Sequence, residues 1–254
     1  MRLFFSVFIS LFVSAIFFFT IKFWGLSQRY IDYAHPFYSQ AQAQAQAQMP
    51  LLFEKSNAET LIDNLNSDKN LYLDIALTLD QQIVLPLDSI NTKYRAENFN
   101  QITQPAALMS DYAMKLKNRR LILNLIENPI AGPDIILAEL KKMGFEKAEN
   151  LVFTSPFDAQ MKDLKEKAPA YLFATTNPEI LRIKSMESVY LIEASVFRSD
   201  IVIHPLNFYH EVFFTTTLLN NLKRRFKRFI VGPVKPDQFE EAKKLNPLGI
   251  VIQN

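Results

Sequence analysis

The chain has 254 residues, of which 49% are hydrophobic, and its formal charge at pH 7 is +2. This length suits one large domain or two small ones, and the apolar content is ample for a core. A nearly neutral chain gives no global electrostatic argument for nucleic-acid binding, and a sequence without cysteine excludes disulfides, thiolate chemistry and cysteine-based zinc sites.

An uncharged apolar segment opens the sequence, with 19 residues at positions 3–21 between Arg2 and Lys22. As a helix it would extend about 28 Å, close to the roughly 30 Å hydrocarbon core of a bilayer. We therefore predict a single transmembrane anchor over residues 1–23. A cleaved signal peptide is the alternative, but the apolar segment exceeds the usual length and no small-residue cleavage site follows closely. The globular domain is expected on the periplasmic or extracellular side, because the short leading segment favours an internal amino terminus.

Residues 24–49 are interpreted as a juxtamembrane segment and a spacer. Trp24, Tyr30, Tyr33 and Tyr38 are suited to a membrane interface, where amphipathic rings are stable. The Ala/Gln repeat at positions 41–48 has no large apolar side chain to bury. We expect it to hold the globular domain away from the bilayer.

Strand-like and helix-like segments alternate through residues 50–254, which is typical of a parallel α/β fold. The predicted strands are residues 51–53, 71–77, 83–85, 121–126, 151–154, 170–174, 189–193, 201–203, 229–231 and 249–252. The predicted helices are residues 56–65, 106–117, 133–143, 159–167, 178–186, 212–226 and 237–245. Ser56 and Glu59 would form a capping box at the first of these helices. The pattern predicts close to eight strand-helix units.

The segment 70–88 reads as a strand, a polar turn at residues 80–82 and a second short strand. Side chains of a strand alternate between its faces, so Tyr72, Asp74 and Ala76 share one face of the first strand. A carboxylate within an apolar strand is costly to bury unless it is paired, hydrogen-bonded or bound to a metal. Asp74 is therefore the first candidate functional residue.

This segment resembles the signature of the glycerophosphodiester phosphodiesterase family, roughly E-L-D-V-x-L-T-K-D-G-x-x-V-V-x-H-D. Without a gap, the matching residues are Leu73, Asp74, Leu77, Thr78, Asp80, Val84 and Asp88. Weaker similarities follow in the family's order at residues 123–129, 154–158, 200–202 and 236–252, so the resemblance covers residues 50–254. It implies a TIM (β/α)8 barrel, preceded here by the single transmembrane helix, and this is the fold that we predict.

The resemblance also implies where catalysis would occur. In the family, two histidines act as general acid and base on a phosphodiester, and carboxylates hold a divalent cation. Here residues 53–55 replace the motif of the first histidine, and the remaining site positions are Tyr72, Asp74, Leu87, Asp88, Ile126 and Asn128. Tyr72 and Ile126 stand in place of metal-binding glutamates, Leu87 in place of the second histidine and Asn128 in place of a lysine. Glu127 cannot replace Ile126, because a one-residue offset points it to the other face of the strand.

We therefore expect a membrane-anchored barrel that has lost its catalytic residues and needs no cofactor. It would bind a phospholipid headgroup, a glycerophosphodiester or a partner protein. The alternative is an active phosphoric diester hydrolase of lipid metabolism with a relocated site, in which Asp74 would bind Mg²⁺ or Ca²⁺. His204 and His210, with Glu193 and Glu211 nearby, form a weaker candidate cluster that is better explained by loop or helix-start positions.

A basic run follows the predicted helix 212–226, with the residues Lys223, Arg224, Arg225, Lys227 and Arg228. Such a run is usually a solvated helix end. The functional reading is contact with anionic lipid headgroups, which attract Lys and Arg by roughly 1 kcal/mol each. No nucleic-acid partner is expected.

Overall fold

The computed structural model describes residues 2–38, 49–66, 69–87, 94, 98–102, 106–127, 132–145 and 148–253. Within them, eight parallel strands form a nearly closed barrel: β1 (Leu51–Ser56), β2 (Asn70–Leu77), β5 (Leu121–Leu125), β6 (Leu151–Thr154), β7 (Leu172–Phe173), β8 (Ile201–His204), β11 (Arg228–Val234) and β12 (Gly249–Ile252). The strands follow the order β7-β6-β5-β2-β1-β12-β11-β8. A bridge between Ala174 and Ile201 joins the two ends. The predicted TIM barrel is confirmed.

Four short strands lie outside the barrel wall, namely β3 (Ile83–Pro86), β4 (Ala106–Leu108), β9 (Asn207–Phe208) and β10 (Glu211–Val212). The helices are α1 (Arg2–Ser27), α2 (Leu61–Leu65), α3 (Ala113–Leu116), α4 (Gly132–Lys142), α5 (Asp158–Lys167), α6 (Asn177–Ser188), α7 (Thr216–Arg224) and α8 (Phe239–Lys244). Short 3-10 turns cover Phe99–Gln101, Met109–Tyr112, Ala148–Asn150, Ile192–Ala194 and Pro236–Gln238.

Two layers of apolar side chains hold the barrel together, as the alternation along β2 predicts. Leu71, Leu73 and Ile75 belong to the layer between the strands and the helices. Tyr72 belongs to the barrel interior, with Phe53, Ile122, Val152, Leu172, Ile201, Ile203, Ile230 and Val251 among its members. Asp74 therefore lies on the inward face of β2, one residue pair beyond Tyr72 towards the carboxyl end.

The amino-terminal end of the barrel is closed by residues that precede the Ala/Gln repeat. Phe37 is fully buried and stacks on Phe53, with ring centroids 6.4 Å apart. Tyr38 is also buried, and its hydroxyl donates to the carbonyl of Asp200, which precedes β8. The expectation of Tyr38 at a membrane interface is wrong, since this ring contributes to the barrel core. The repeat itself lies outside the described residues, and because Phe37 and Tyr38 precede it and already pack in the barrel, it does not separate the barrel from α1.

The predicted helix 56–65 is shorter than expected, and its capping box is absent from the described structure. Ser56 is the last residue of β1 and pairs with Leu73 of β2. The chain turns instead at Asn57, whose side-chain oxygen accepts from the backbone amides of Glu59 and Thr60 at 3.1 and 3.0 Å. Ser56 is therefore part of the strand pair between β1 and β2 and does not cap a helix.

Three other predicted elements differ from the structure, because tertiary pairing or turn geometry decides the local conformation. Ala106–Leu108 forms β4, antiparallel to β3, where we expected the start of a helix. Residues 189–193 do not form a strand, because α6 extends to Ser188 and Tyr190 turns the chain with a φ of 60°. The helix predicted from residue 212 begins at Thr216, because Thr215 caps it by accepting from the Leu218 amide.

The amino-terminal helix α1 extends from the barrel without burial of its apolar side chains. Phe5–Ser27 is long and apolar enough to cross a membrane by length and composition. Its last turn contacts the barrel at the turn Ile192–Ala194 and at Arg224. A membrane span at this position therefore stays compatible with the fold.

Candidate ligand site at the barrel mouth

The inward-facing side chains at the carboxyl ends of the strands define the mouth of the barrel. Lys55 follows Phe53 on the inward face of β1, and Asn124 follows Ile122 on that of β5. Asp74 lies on β2 between these two strands, directly paired in register with Asn124. The topology therefore brings Lys55, Asp74 and Asn124 side by side.

Both oxygens of the Asp74 carboxylate have partners within the barrel. Its Oδ2 lies 3.3 Å from Nζ of Lys55, and its Oδ1 accepts from the Asn124 side-chain amide at 2.6 Å. The Asp74 side chain is 9% exposed, whereas that of Lys55 is 24% exposed. A paired and hydrogen-bonded carboxylate is the usual way to retain a charge in such a buried position.

Tyr72 lies beneath this pair in the barrel interior. Burial raises the pKa of the Tyr72 phenol well above its usual value, and the carboxylate of Asp74 adds to the effect. The phenol therefore stays neutral at physiological pH. The Lys55 ammonium lies 5.9 Å from the centre of the Tyr72 ring, within the range of a cation–π contact.

The donors around Asp74 do not fit a divalent cation. Mg²⁺ and Ca²⁺ need about six or more oxygen ligands, normally with several carboxylates. The atoms that approach the Asp74 oxygens are instead an ammonium and an amide NH₂, which are hydrogen-bond donors. Across the described part of the chain, no group of three or more His, Asp or Glu residues is placed to hold a metal ion.

Apolar side chains cover the mouth next to β2 and β5. Ile126 packs with Ala76, Val84 and Tyr94, together with Phe99, Ile102, Ala106 and Leu108. Tyr94 is 2% exposed within this cluster. The position where the family resemblance implies a second metal-binding glutamate is therefore part of an apolar cluster.

Glu127 occupies the opposite face of the strand end from Ile126, as the one-residue offset predicts. Its Oε1 accepts from the backbone amide of Tyr94 at 3.0 Å. It also borders a small cavity with Ile75 and Leu125, which belong to the outer layer. Glu127 therefore has a structural contact outside the mouth.

Three further site residues are predicted, and the structure describes one of them. Leu87 is half-buried, and its backbone carbonyl accepts from the Asn57 side-chain amide at 3.2 Å. Asp88 and Asn128 lie outside the described residues. Their roles as remnants of a polar mouth stay predictions.

The histidines considered as a second cluster lie apart from the mouth. His204 takes the outward face of β8, because Ile201 and Ile203 belong to the interior. Its ring stacks on Phe213 with a centroid distance of 3.9 Å, and burial lowers its pKa. His210 has a φ of 71° between β9 and β10, which suits a turn position. Glu193 belongs to a turn that precedes β8, at the amino-terminal end of the barrel.

A cleft of about 640 Å³ opens beside β11 and β12 at the mouth. It is lined by Pro233, Val234, Lys235, Pro236, Asp237, Gln238 and Gln253. Glu54 pairs with Ile252, so the next residue of each strand, Lys55 and Gln253, lies at the same level of the barrel. Of the residues that line the cleft, Gln253 therefore lies level with Lys55 along the barrel axis.

Lys55 and Asn124 are functional candidates that sequence reasoning missed as partners of Asp74. The family resemblance gives Lys55 only as part of the segment that replaces the motif of the first histidine, and Asn124 only as part of the third-strand similarity. Two signals could have identified them. Both share the inward parity of apolar core residues, and both lie on strands adjacent to β2 in a TIM barrel.

Comparison with solved structures places this fold among known barrels. A putative glycerophosphodiester phosphodiesterase from Galdieria sulphuraria has a TM-score of 0.60 and 9% identity, covering 81% of this chain and 94% of that one. A putative glycerophosphoryl diester phosphodiesterase from Silicibacter pomeroyi has a TM-score of 0.61 and 11% identity, covering 80% and 90%. An Oleispira antarctica phosphodiesterase, in complex with the product sn-glycerol-3-phosphate, has a TM-score of 0.57 and 11% identity, covering 82% and 94%.

No protein-family model matches the chain, and no curated protein matches it. At identities of 9 to 11%, the structural likeness establishes the fold. The protein has the TIM-barrel fold of the glycerophosphodiester phosphodiesterases.

Proposed function

We propose that this protein is a membrane-anchored, non-catalytic barrel that binds a glycerophosphodiester or a related glycerophosphate compound at its mouth. The observation that carries the proposal is the pairing of Asp74 with Lys55 and Asn124. A carboxylate held by an ammonium and an amide is already neutralised and has no need of a metal ion. Position 87 is leucine where the family has a histidine, and the described residues include no group of His, Asp or Glu that could hold a metal, so we expect no turnover by the family's chemistry.

The mouth retains groups that suit a phosphate and hydroxyl ligand. Lys235 and Gln253 are exposed in the cleft, and Gln238 lies beside them. An ammonium attracts a phosphate, and the amides offer donors and acceptors to glycerol hydroxyls. The Oleispira antarctica structure holds sn-glycerol-3-phosphate, which is the type of compound that we propose as ligand here.

Membrane anchoring through α1 is part of the proposal, with residues 1–23 as the anchor and the barrel on the periplasmic or extracellular side. The length and apolar composition of Phe5–Ser27 support it. We also propose that the ligand binds without a divalent cation, because the groups around Asp74 are hydrogen-bond donors.

The test uses the full chain in phospholipid nanodiscs. Binding of glycerophosphoethanolamine and release of sn-glycerol 3-phosphate are measured separately, with Mg²⁺ or Ca²⁺ present. We expect saturable binding that falls at least tenfold in Lys235→Gln, and no turnover above the rate without protein. Lys244→Gln, at an exposed position of α8, is the matched control and should bind as the wild type does.

Two results would overturn the proposal. Turnover that is lost in Asp74→Ala would establish the alternative, an active phosphoric diester hydrolase with Asp74 as a metal ligand. A wild-type chain that binds none of the glycerophosphate compounds would exclude this ligand class and leave a partner protein as the occupant of the mouth.

A further inference from the structure

Helix α1 joins the barrel through a close and specific contact. A Cβ atom at Gly25 would lie only 2.4 Å from the carbonyl carbon of Glu193, so glycine permits this approach. Arg224 reinforces the junction by donating to the carbonyls of Gly25 and Leu26 at 3.0 and 3.2 Å. The last turn of α1 is therefore held against the barrel by both packing and charge-assisted hydrogen bonds.

The junction lies at the amino-terminal end of the barrel strands. The turn Ile192–Ala194 precedes β8 in the chain, and Arg225 precedes β11. Arg228, the first residue of β11, forms an ion pair with Asp32 at 3.3 Å. The mouth with Lys55 and Asp74 lies at the carboxyl ends of the strands, which is the opposite end of the barrel.

The surface around the junction has the composition of a membrane interface. Exposed apolar side chains border a cavity of about 320 Å³ there, including Trp24, Ile31, Tyr33, Val196 and Phe226. Ile31 is 91% exposed, which is unusual for a large apolar side chain. Aromatic and aliphatic groups that continue from the end of an apolar helix suit the boundary between hydrocarbon and headgroups.

Part of the basic run lies on the same surface and shapes the cavity. The Arg225 guanidinium lies between the rings of Tyr30 and Phe197, at 4.8 and 4.6 Å from their centres. Lys227 also lines the cavity and donates to the carbonyl of Ser199. The basic run, which we expect to contact lipid, thus lies next to the end of α1. Its arginines also make contacts within the protein.

We infer that this amino-terminal face rests on the phospholipid headgroups of the bilayer that α1 enters, and that the mouth opens away from that bilayer. The inference rests on the anchoring part of the proposed function. It limits the ligand to compounds that arrive from the aqueous phase, because lipids of the host bilayer lie at the opposite end of the barrel. The bilayer is the occupant of this face because the apolar surface continues directly from the membrane helix.

The chain contains no cysteine, so single cysteines can report orientation without a background. Val196→Cys on the amino-terminal face and Asp237→Cys at the mouth are each labelled with a bimane fluorophore in the full chain. The labelled proteins are placed in nanodiscs of phosphatidylcholine and phosphatidylglycerol. Quenching by headgroup-linked nitroxide lipids is compared with quenching by aqueous iodide.

We expect the lipid nitroxide to quench the Val196→Cys label at least threefold more strongly than the Asp237→Cys label, with the reverse order for iodide. Gly25→Leu should remove the difference by breaking the junction, whereas Ser14→Leu, at an exposed site of α1, should retain it. Equal quenching of both labels in the wild type, or stronger lipid quenching at Asp237→Cys, would overturn the orientation. Weak lipid quenching at both sites would also overturn the inference, because the amino-terminal face would then not rest on the headgroups.

The inference and the anchoring can fail separately. Flotation with liposomes tests the anchor directly. Loss of flotation would overturn the anchor and with it the orientation. Flotation with reversed quenching would overturn only the orientation and leave the proposed function intact.

Discussion

The ammonium of Lys55 lies 3.3 Å from the carboxylate of Asp74 at the mouth of the barrel. In a metal-dependent phosphodiesterase of this fold, an aspartate at such a position would help to bind a divalent cation. Here the positive charge comes from the neighbouring strand, and Asn124 satisfies the other oxygen. The side chains of Lys55 and Asn124 thus offset the free-energy cost of burying the Asp74 carboxylate.

Removing the ammonium should destabilise the barrel. Lys55→Met leaves the Asp74 charge buried with one hydrogen-bond partner, and we expect a loss of about 1–3 kcal/mol in the free energy of unfolding. Urea unfolding of the full chain in detergent measures it. The double variant Lys55→Met/Asp74→Leu should recover most of the loss, because replacing both partners by apolar groups removes the unpaired charge.

The control for this change is an exposed ion pair. Lys162 and Glu166 are 3.9 Å apart, and both side chains are 68% exposed. Lys162→Met should alter the free energy of unfolding by less than about 0.5 kcal/mol. Equal stability of Lys55→Met and the wild type would show that the pair at the mouth does not hold Asp74 in place.

Introducing a carboxylate at Ile126 should also be costly. Ile126→Glu places a charge among the apolar side chains of Ala76, Val84 and Tyr94. We expect a loss of about 2–4 kcal/mol. Ile62→Glu, at a residue that is 52% exposed, is the matched control and should be nearly neutral. If Ile126→Glu were as stable as the wild type and bound Mg²⁺, a metal cavity would have persisted under the apolar cluster.

His204 should make stability depend on pH below neutrality. Burial lowers its pKa, and Lys184 contributes in the same direction. As the pH falls below the usual histidine pKa of about 6.5, the unfolded chain takes up a proton that the folded chain resists. The free energy of unfolding should therefore decrease between about pH 6.5 and 5, by at most about 1.4 kcal/mol per pH unit from this residue.

The quantity that tests His204 is the slope of the free energy of unfolding against pH, rather than its value at one pH. His204→Phe should show a smaller decrease over this pH range than the wild type. Val212→Ala, at an exposed residue of β10 that does not titrate, should keep the wild-type slope. A His204→Phe variant with an unchanged slope would contradict the assignment.

The stability of the barrel should depend on Phe37, which lies before the Ala/Gln repeat. Phe37→Ala removes a fully buried ring that stacks on Phe53, and we expect a loss of about 3–5 kcal/mol. Tyr33→Ala, in the same segment but 48% exposed, should cost far less. Similar losses in the two variants would mean that Phe37 does not close the barrel.

The fold could be predicted because its signals are local and repeated. Apolar strands alternate with amphipathic helices, and the two faces of β2 follow directly from the parity of its side chains. Where the prediction was wrong, tertiary pairing decided. Ala106–Leu108 has a helical composition, yet β3 offers an unpaired strand edge and takes it as a neighbour.

The site could be predicted only by its departures from a pattern. By the family resemblance, Tyr72, Leu87 and Ile126 stand at positions where the family has groups that carry chemistry. The sequence does not show that Lys55 reaches Asp74, because this contact depends on which strands are neighbours and on their register. Burial of Phe37 and Tyr38 was also missed, since aromatic residues near a membrane helix suit an interface equally well.

The central claim is that Asp74 is neutralised by Lys55 and Asn124 and does not serve as a metal ligand. Its most direct test is calorimetric titration of Mg²⁺ and of Ca²⁺ into the full chain in nanodiscs, with the wild type and Asp74→Asn compared under identical conditions. We predict that the two proteins give the same heats and that neither shows saturable binding of one equivalent of metal. One equivalent bound by the wild type and lost in Asp74→Asn would contradict the account.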